Sequence, residues 1–464
     1  MPSNSFSRSC SLIAIIPSFH IMAIYTIFFT LSAAYVAAVI TPSVLIVFVF
    51  NETGGDFMYR LGKHAALAGT MILSLQVLLA ARIKWITRTF GFDIVIRYHK
   101  YIVLFGTLLL AAHPVLLAVG PYGMSLLSDL PGPPLIFLGK LSFLLLLVMI
   151  AVSLLWKTLR LSFERWRVIH NIIYILVIGI ALVHGILIGS DMQKLPLRII
   201  WFALGGGNLV LFAYHRFIRP ALLKKHAYRV EEVRKETDNV WTLRLTPTDG
   251  RKRFDFAPGQ FQFITLYRGR GLPVEEHHFT IASSPEETLQ TETTIKVLGD
   301  FTSTICKTAP GDLAAVHAPF GRFSYVVHPD ETRLYMFAGG IGITPCMSMI
   351  RTLHARKLTL PVTLWYGNNR REEILFADEL EKISASGHPR LEVVHVLRFP
   401  PDGWNGETGF VDREVIRRNA AQLDAATGCY VVGPKPFLKL VSRSLREMGV
   451  KNRRLHTEIF SLID

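Results

Sequence analysis

Two histidine pairs share one spacing. His99 and His113 lie fourteen residues apart in RYHKYIVLFGTLLLAAHPVLL, and His170 and His184 lie fourteen apart in VIHNIIYILVIGIALVHGIL. On a helix rising about 1.5 Å per residue, that spacing separates the two imidazoles by about 21 Å. It also keeps them on nearly one face, since 14 × 100° falls only some 40° short of four turns. The rise is most of the ~30 Å hydrocarbon thickness of a bilayer. Ionisable side chains inside apolar runs are rare and usually functional, and a spacing met twice argues against four unrelated polar residues. Two such helices facing each other would hold two stacked bis-histidine sites, one near each membrane surface.

The ligand set narrows what these sites take. A zinc site would add cysteine or carboxylate partners, and none accompanies these histidines in the apolar runs. A proton relay is the competing reading, but relays enlist Asp or Glu within the spans, which have almost none. Iron in a haem with two axial imidazoles suits an apolar bundle, so the expectation is two b-type haems. The four cysteines, Cys10, Cys306, Cys346 and Cys429, form no CxxC or CxxCH. A disulfide framework, covalent haem attachment and cysteine-held clusters are therefore unsupported.

The elements that must position these residues follow from hydropathy. Of 464 residues, half are hydrophobic, and they concentrate in long blocks over 12–218, whereas 226–464 reads as globular sequence. Spans are expected at 23–48, 64–82, 99–120, 135–156, 168–190 and 197–218. The net charge of +15 forms no single stripe suited to nucleic acid; many of the positive residues flank the apolar blocks. Arg82, Lys84, Arg88, Arg97 and Lys100 lie between the second and third spans, Lys157, Arg160, Arg165 and Arg167 between the fourth and fifth, and Arg216, Arg219, Lys224 and Lys225 follow the sixth. The opposite loops hold only Arg60, Lys63, Lys140, Lys194 and Arg198. The positive-inside rule then places both termini and the C-terminal half in the cytoplasm. The third and fifth spans run in one direction, so His99 levels with His170 on the inner side and His113 with His184 on the outer. Residues 1–22 read as an N-terminal extension. Arg8 with LSAAYVAA imitates a signal peptide, but six retained spans are expected, with 12–22 membrane-associated or part of a seventh.

From 226 the pattern switches to short alternating strands separated by turns, YRVEEVRK, VWTLRLTP, FQFITLYR and TTIKVLGD, as in a small antiparallel barrel. Within it EHHFTIASSP (276–285) sets a basic residue, an aromatic and a hydroxyl at His277, Phe279 and Thr280. These could contact a phosphate or ring, pack on an isoalloxazine and hydrogen-bond its N5 edge; Ser283 is a further candidate in the segment. In VLGDFTSTI, Gly299 with the hydroxyls of Thr302 and Ser303 opens a short helix whose N–H groups suit a pyrophosphate. After about 330, RLYMFAGGIGITPCMSMI reads strand, Gly-rich turn, helix. Gly339, Gly340 and Gly342 allow close backbone approach to a dinucleotide, and Pro345 starts the helix. Strands at VTLWYG, LEVVHVLR and CYVVGP alternate with helices, a doubly wound parallel sheet.

Taken in order, the paired histidines, HHFT, GDFT, GGIGITP, VVGPKPF and terminal HTEIF resemble the ferric reductase / NADPH oxidase superfamily over about 23–464. The resemblance implies a six-helix transmembrane haem domain (23–220), an FAD-binding β-barrel (226–328) and an NAD(P)H-binding α/β domain (330–464). It implies His99, His113, His170 and His184 as haem ligands and His277, Phe279 and Thr280 as the flavin motif. Gly299 and Thr302 correspond to the flavin diphosphate turn, and Gly339, Gly340, Gly342 and Thr344 to the nicotinamide dinucleotide loop, with Gly433 at the late Gly-Pro. Two departures stand out: His278 replaces the usual proline of His-Pro-Phe-Thr, and Val432 stands where a cysteine often precedes that Gly-Pro. Cys429 is expected to be a buried strand residue without a catalytic role. Phe460 is either a flavin-stacking aromatic or a core residue at a strand end.

The expected activity is a relay from cytoplasmic NAD(P)H through FAD and two b haems to an acceptor outside, within a cell (plasma or inner) membrane. The acceptor stays open between a ferric chelate, dioxygen and a periplasmic protein, and a haem or flavin redox sensor is the reading from another class. Arg60 and His64 are either groups that polarise dioxygen or interfacial anchors. Arg370 and Arg371 suit a 2′-phosphate, which favours NADPH over NADH.

Overall fold

The computed structural model describes residues 10–51, 54–420 and 423–459. The chain divides between Arg219 and Pro220 into two units. In the first, the apolar runs become helices because a backbone surrounded by lipid must satisfy its own hydrogen bonds. Among the described residues, six helices are long and apolar enough to cross a membrane, at Thr26–Val49, Phe57–Ala80, Ile94–Tyr122, Pro134–Leu155, Phe163–Ile188 and Leu195–Lys225. All six fall on the expected spans. The long regular helices are α1 (Cys10–Val44), α2 (Phe57–Ala80), α3 (Phe92–Leu117), α4 (Pro134–Leu155), α5 (Phe163–Ile188) and α6 (Leu195–Ala213). Residues 12–22 extend α1 without a break.

Local signals set the helix starts. Asp56 accepts the Tyr59 N–H at 2.8 Å ahead of α2, and Ser162 accepts the Arg165 N–H ahead of α5, each satisfying a donor the first turn leaves open. The bundle interior is apolar, built on Leu67, Met71, Leu146, Val177, Ile178, Leu182 and Trp201. Its outside is apolar too: Phe29, Phe48, Leu108, Leu154, Phe202, Val210 and Phe217 are exposed, a surface suited to lipid rather than water. Helix α2 packs along α3, and α4 along α5. Among the described residues, the two histidine helices α3 and α5 do not pack along each other.

The second unit begins with six antiparallel strands: β1 (Tyr228–Thr237), β2 (Val240–Pro247), β3 (Phe261–Tyr267), β4 (Glu276–Thr280), β5 (Thr291–Lys296) and β6 (Leu313–Phe320). Their order is β4-β3-β6-β1-β2-β5. Leu243, Leu245, Ile264, Leu266, Ile295 and Phe301 fill this layer. A parallel sheet follows, with β7 (Arg333–Gly339), β8 (Pro361–Asn368), β9 (Arg390–Leu397), β10 (Glu407–Thr408), β11 (Thr427–Val432) and β12 (Leu455–Glu458) in the order β10-β9-β8-β7-β11-β12.

Strand alternation explains why helices cover both faces of that sheet. Leu334, Met336 and Ala338 of β7 join Cys346, Met347, Ile350 and Leu353 of α7 (Ile343–Ala355). Tyr335 and Phe337 turn the other way. They join Val415 and Ile416 of α9 (Arg413–Asn419) and Leu438, Val441 and Leu445 of α10 (Lys435–Glu447); α8 is Ala377–Ser386. Strands buried on both sides read as continuous apolar runs, as LYMFA and CYVV do. The architecture is that of the expected fold class: a transmembrane helical unit, an antiparallel sheet and a doubly wound α/β sheet.

Candidate functional site

Each of the four histidines has its Nδ1 held by the helix behind it. On α3, His113 Nδ1 lies 3.0 Å from the Gly62 carbonyl and His99 Nδ1 lies 3.1 Å from Gln76 Oε1. On α5, His184 Nδ1 lies 2.8 Å from the Leu135 carbonyl and His170 Nδ1 lies 3.1 Å from Ser153 Oγ.

These partners fix the tautomers. The carbonyls of Gly62 and Leu135 can only accept. Gln76 donates its amide to the Ile72 carbonyl and Tyr35 hydroxyl, which leaves its oxygen to accept from His99. Ser153 donates its hydroxyl to the Met149 carbonyl at 2.7 Å, so it too accepts. In all four rings Nδ1–H donates and Nε2 keeps its lone pair. Metal-ligating histidines are typically oriented in this way.

His99 lies within electrostatic reach of His170, and His113 of His184. His113 and His184 line one cavity of about 830 Å³, within the ~300–1,000 Å³ of pockets that enclose a cofactor. Leu67, Leu73, Leu110, Leu146, Val177 and Ile178 form apolar walls, and Lys63 and Lys140 also line it. Apolar walls and two imidazole lone pairs fit a haem. Gly139 makes room for the His184 ring: a Cβ there would stand 2.7 Å from Cε1 and 2.9 Å from Nε2 of His184.

Several of these residues have no motif. Gln76 and Ser153 are lone polar residues in apolar runs, a signal that could have flagged them. Gly139 and the two carbonyls gave none. Lys63 pairs with the buried Asp191 at 2.8 Å, and both line the cavity. Arg60 and His64 do not line it; His64 Nδ1 instead lies 3.0 Å from Ser43 Oγ.

In the second unit the structure brings the two segments expected to hold flavin together. His277 stacks on Phe301 with centroids 4.1 Å apart, and Phe279 lies parallel to the same ring at 6.4 Å. Arg268 sits 5.1 Å over Phe301 and donates to the Thr304 and Pro273 carbonyls, tying the turn to β3. The hydroxyl of Thr302 accepts the N–H groups of Leu298 and Gly299 at 2.8 and 2.9 Å, so it shapes the turn. The following helix is a short 3₁₀ segment, Thr302–Lys307, and the space beside Gly299 is open. Thr280 is buried at the end of β4, and its carbonyl accepts from Thr293. Ser283 stands apart: it is fully buried, its hydroxyl accepts the Glu292 N–H and its carbonyl accepts from Ser348.

The dinucleotide loop sits where the strand order reverses. Strand β7 pairs in parallel with β8 on one side and β11 on the other, and ligands of such sheets bind in the crevice at that switch point. Gly339, Gly340 and Gly342 lie at the C-terminal end of β7, and Gly433 lies at that of β11. A Cβ on Gly342 would meet the Val432 carbonyl oxygen at 2.5 Å, so the loop closes onto β11 only through glycine. Gly340 adopts φ 55°, the left-handed region. Thr344 donates to the Ile341 carbonyl at 3.1 Å and closes the turn. Arg370 and Arg371 are exposed just past the end of β8. Cys429 is fully buried in β11, and burial, with Glu331 beside it, pushes its thiol up to about 12. Phe460 lies outside the described residues.

Comparison with known proteins agrees with both halves. Residues 65–181 match the ferric reductase like transmembrane component, and residues 336–443 match the oxidoreductase NAD-binding domain. The chain is 26% identical over 256 residues to NADH-cytochrome b5 reductase 1 of Mycosarcoma maydis, covering 53% of this chain and 78% of that one. With NADH–cytochrome b5 reductase 1 of Arabidopsis thaliana it is 33% identical over 141 residues, 30% of this chain and 50% of that one. The cytochrome b5 reductase domain of Ulva prolifera nitrate reductase aligns at TM-score 0.45 and 21% identity over 50% of this chain and 96% of that one. The protein joins a ferric-reductase-like transmembrane component to a reductase NAD-binding module. It is a membrane oxidoreductase, consistent with the ferric reductase / NADPH oxidase superfamily.

Proposed function

We propose that this protein carries electrons from NAD(P)H across a membrane, through FAD and two bis-histidine b haems, to a small one-electron acceptor on the far side. The observation that carries the reading is the set of four Nδ1-anchored imidazoles; their equal spacing supports pairing His99 with His170 and His113 with His184. Bound FAD supplies the change from two-electron to one-electron chemistry, and the haems supply the one-electron path between membrane faces.

The protein's own work is positional. Gln76, Ser153 and the carbonyls of Gly62 and Leu135 aim each Nε2 away from its backing helix. The β7–β11 crevice would seat the dinucleotide, with Arg370 beside a 2′-phosphate in favour of NADPH, and the His277–Phe279–Phe301 face would receive the flavin. Basic loops after α2, α4 and α6 support a cytoplasmic reductase unit. The His99/His170 level is then the inner one.

Purified protein given NADPH under argon should show haem reduction, and oxidised haem with FAD retained would overturn the relay. Admitting air or ferric citrate in separate runs then identifies the acceptor by which one reoxidises the haem at a turnover rate. His113→Leu should keep the spectrum of the His99/His170 haem and abolish acceptor reduction; an unchanged rate would refute the pairing.

A further inference from the structure

A second histidine cluster lies in the reductase unit, at the end of the parallel sheet away from the dinucleotide crevice. Glu331 precedes β7, whose far end carries the Gly339–Gly342 loop. His456 of edge strand β12 pairs in register with Tyr430 of β11. The carboxylate of Glu331 is almost fully buried: Oε1 lies 2.7 Å from His456 Nε2, and Oε2 accepts the Tyr430 hydroxyl at 2.6 Å. It rests on Gly428, where a Cβ would stand 2.0 Å from Oε2. His328 stacks on His456 with centroids 3.9 Å apart. Ligand atoms of His328, Glu331 and His456 all fall within 4.8 Å of one another.

We propose that His328, Glu331 and His456 form a binding site for a divalent first-row transition ion, with Zn²⁺ the best match. Two imidazoles and a carboxylate from separated segments make a three-ligand set with a fourth position open, a common zinc arrangement. Ca²⁺ and Mg²⁺ prefer all-oxygen shells, and with no thiolate in the cluster, a soft ion such as Cu(I) is disfavoured. Tyr430 holds the second carboxylate oxygen, the outer-shell contact that orients a ligating carboxylate.

The change needed is small. At bond lengths of about 2.0–2.1 Å, the contact between His456 and Glu331 opens by roughly half an ångström as the ion replaces the shared proton. His328 joins by turning its ring off the face of His456. Arg454 is 2.9 Å from Asp330 and 3.6 Å from Glu331; it keeps Asp330 when Glu331 turns to the ion. The ion would staple edge strand β12, and the HTEIF segment it begins, to the turn before β7.

The test uses the full-length protein with haem and FAD bound, stripped of loose metal by chelator and desalted. Zn²⁺ is titrated against a chromophoric chelator, and Co²⁺ is added separately to read coordination from its visible absorption. One tight equivalent is expected, unaffected by millimolar Mg²⁺. His328→Gln, Glu331→Gln and His456→Gln should each weaken it at least tenfold and remove the Co²⁺ band. Tyr430→Phe, which removes no ligand, should weaken it about ten- to a hundredfold. Unchanged haem and flavin spectra report that the variants are folded. Equal uptake by wild type and the three glutamine variants, or no tight equivalent in wild type, would overturn the site.

Discussion

Replacing Gly139 with alanine should remove one haem and leave the other. The new Cβ would stand 2.7, 2.9 and 3.1 Å from Cε1, Nε2 and Nδ1 of His184, against 3.4–4 Å for ordinary contact. The ring must therefore retreat by about 0.7 Å from its nearest approach, disturbing the 2.8 Å bond from Nδ1 to the Leu135 carbonyl. Overpacking of this kind costs about 1–3 kcal/mol, and the weakened hydrogen bond adds roughly 1 kcal/mol. The combined ~2–4 kcal/mol corresponds to a roughly 30- to 700-fold loss of haem affinity at the His113/His184 level, taking ~1.4 kcal/mol per tenfold. Haem per chain, measured by pyridine haemochrome, should fall from two to one with FAD content unchanged. Gly179→Ala is the matched control, because its Cβ meets nothing within 4 Å on the same histidine helix, α5. Two haems with wild-type midpoint potentials in Gly139→Ala would refute the assignment of His184 to a ligand position shaped by Gly139.

Other outcomes follow from the same geometry. Gln76→Leu removes the acceptor of the His99 Nδ1–H and makes that imidazole a weaker donor. The potential of one haem should rise, by up to about 40 mV if the lost hydrogen bond is worth ~1 kcal/mol, as read by redox titration. Gly342→Ala would drive a Cβ into the Val432 carbonyl at 2.5 Å, so NAD(P)H oxidation should fail while FAD stays bound; normal steady-state kinetics would contradict the crevice. Glu407 is held below its ordinary 4.5 chiefly by its hydrogen bond from Arg418. A carboxylate lowered on folding contributes stability that is present above pH 4.5 and lost as pH falls below it. Glu407→Gln should therefore flatten the acid limb of an unfolding-versus-pH curve below 4.5 without steepening it elsewhere.

Much of the architecture could be read from local pattern. Apolar length alone located the six helices, since a bilayer demands continuous runs of about twenty residues. Alternation located the antiparallel strands, and the GGIG turn marked the end of β7. The correspondence weakens where a residue's role depends on distant partners. Thr302 reads as part of a diphosphate turn, but only the folded chain shows that its hydroxyl accepts the Leu298 and Gly299 N–H groups. Ser283 reads as a candidate in the flavin segment, and only the folded chain shows it hydrogen-bonded to Glu292 and Ser348. Arg60 and His64 suit the cavity by sequence position, yet Lys63 is the residue between them that lines it.

The histidine spacing shows the division most clearly. Fourteen residues on a helix determine, by pitch and rise alone, that two imidazoles share a face at two depths. No sequence rule says which ring nitrogen keeps its lone pair. That depends on Gly62 and Gln76 of α2 and on Leu135 and Ser153 of α4. Those acceptors lie 17 to 51 residues from their histidines along the chain and meet them only when the helices pack. Periodicity is a property of one helix, whereas tautomer and aim are properties of two, and only the tertiary structure decides them.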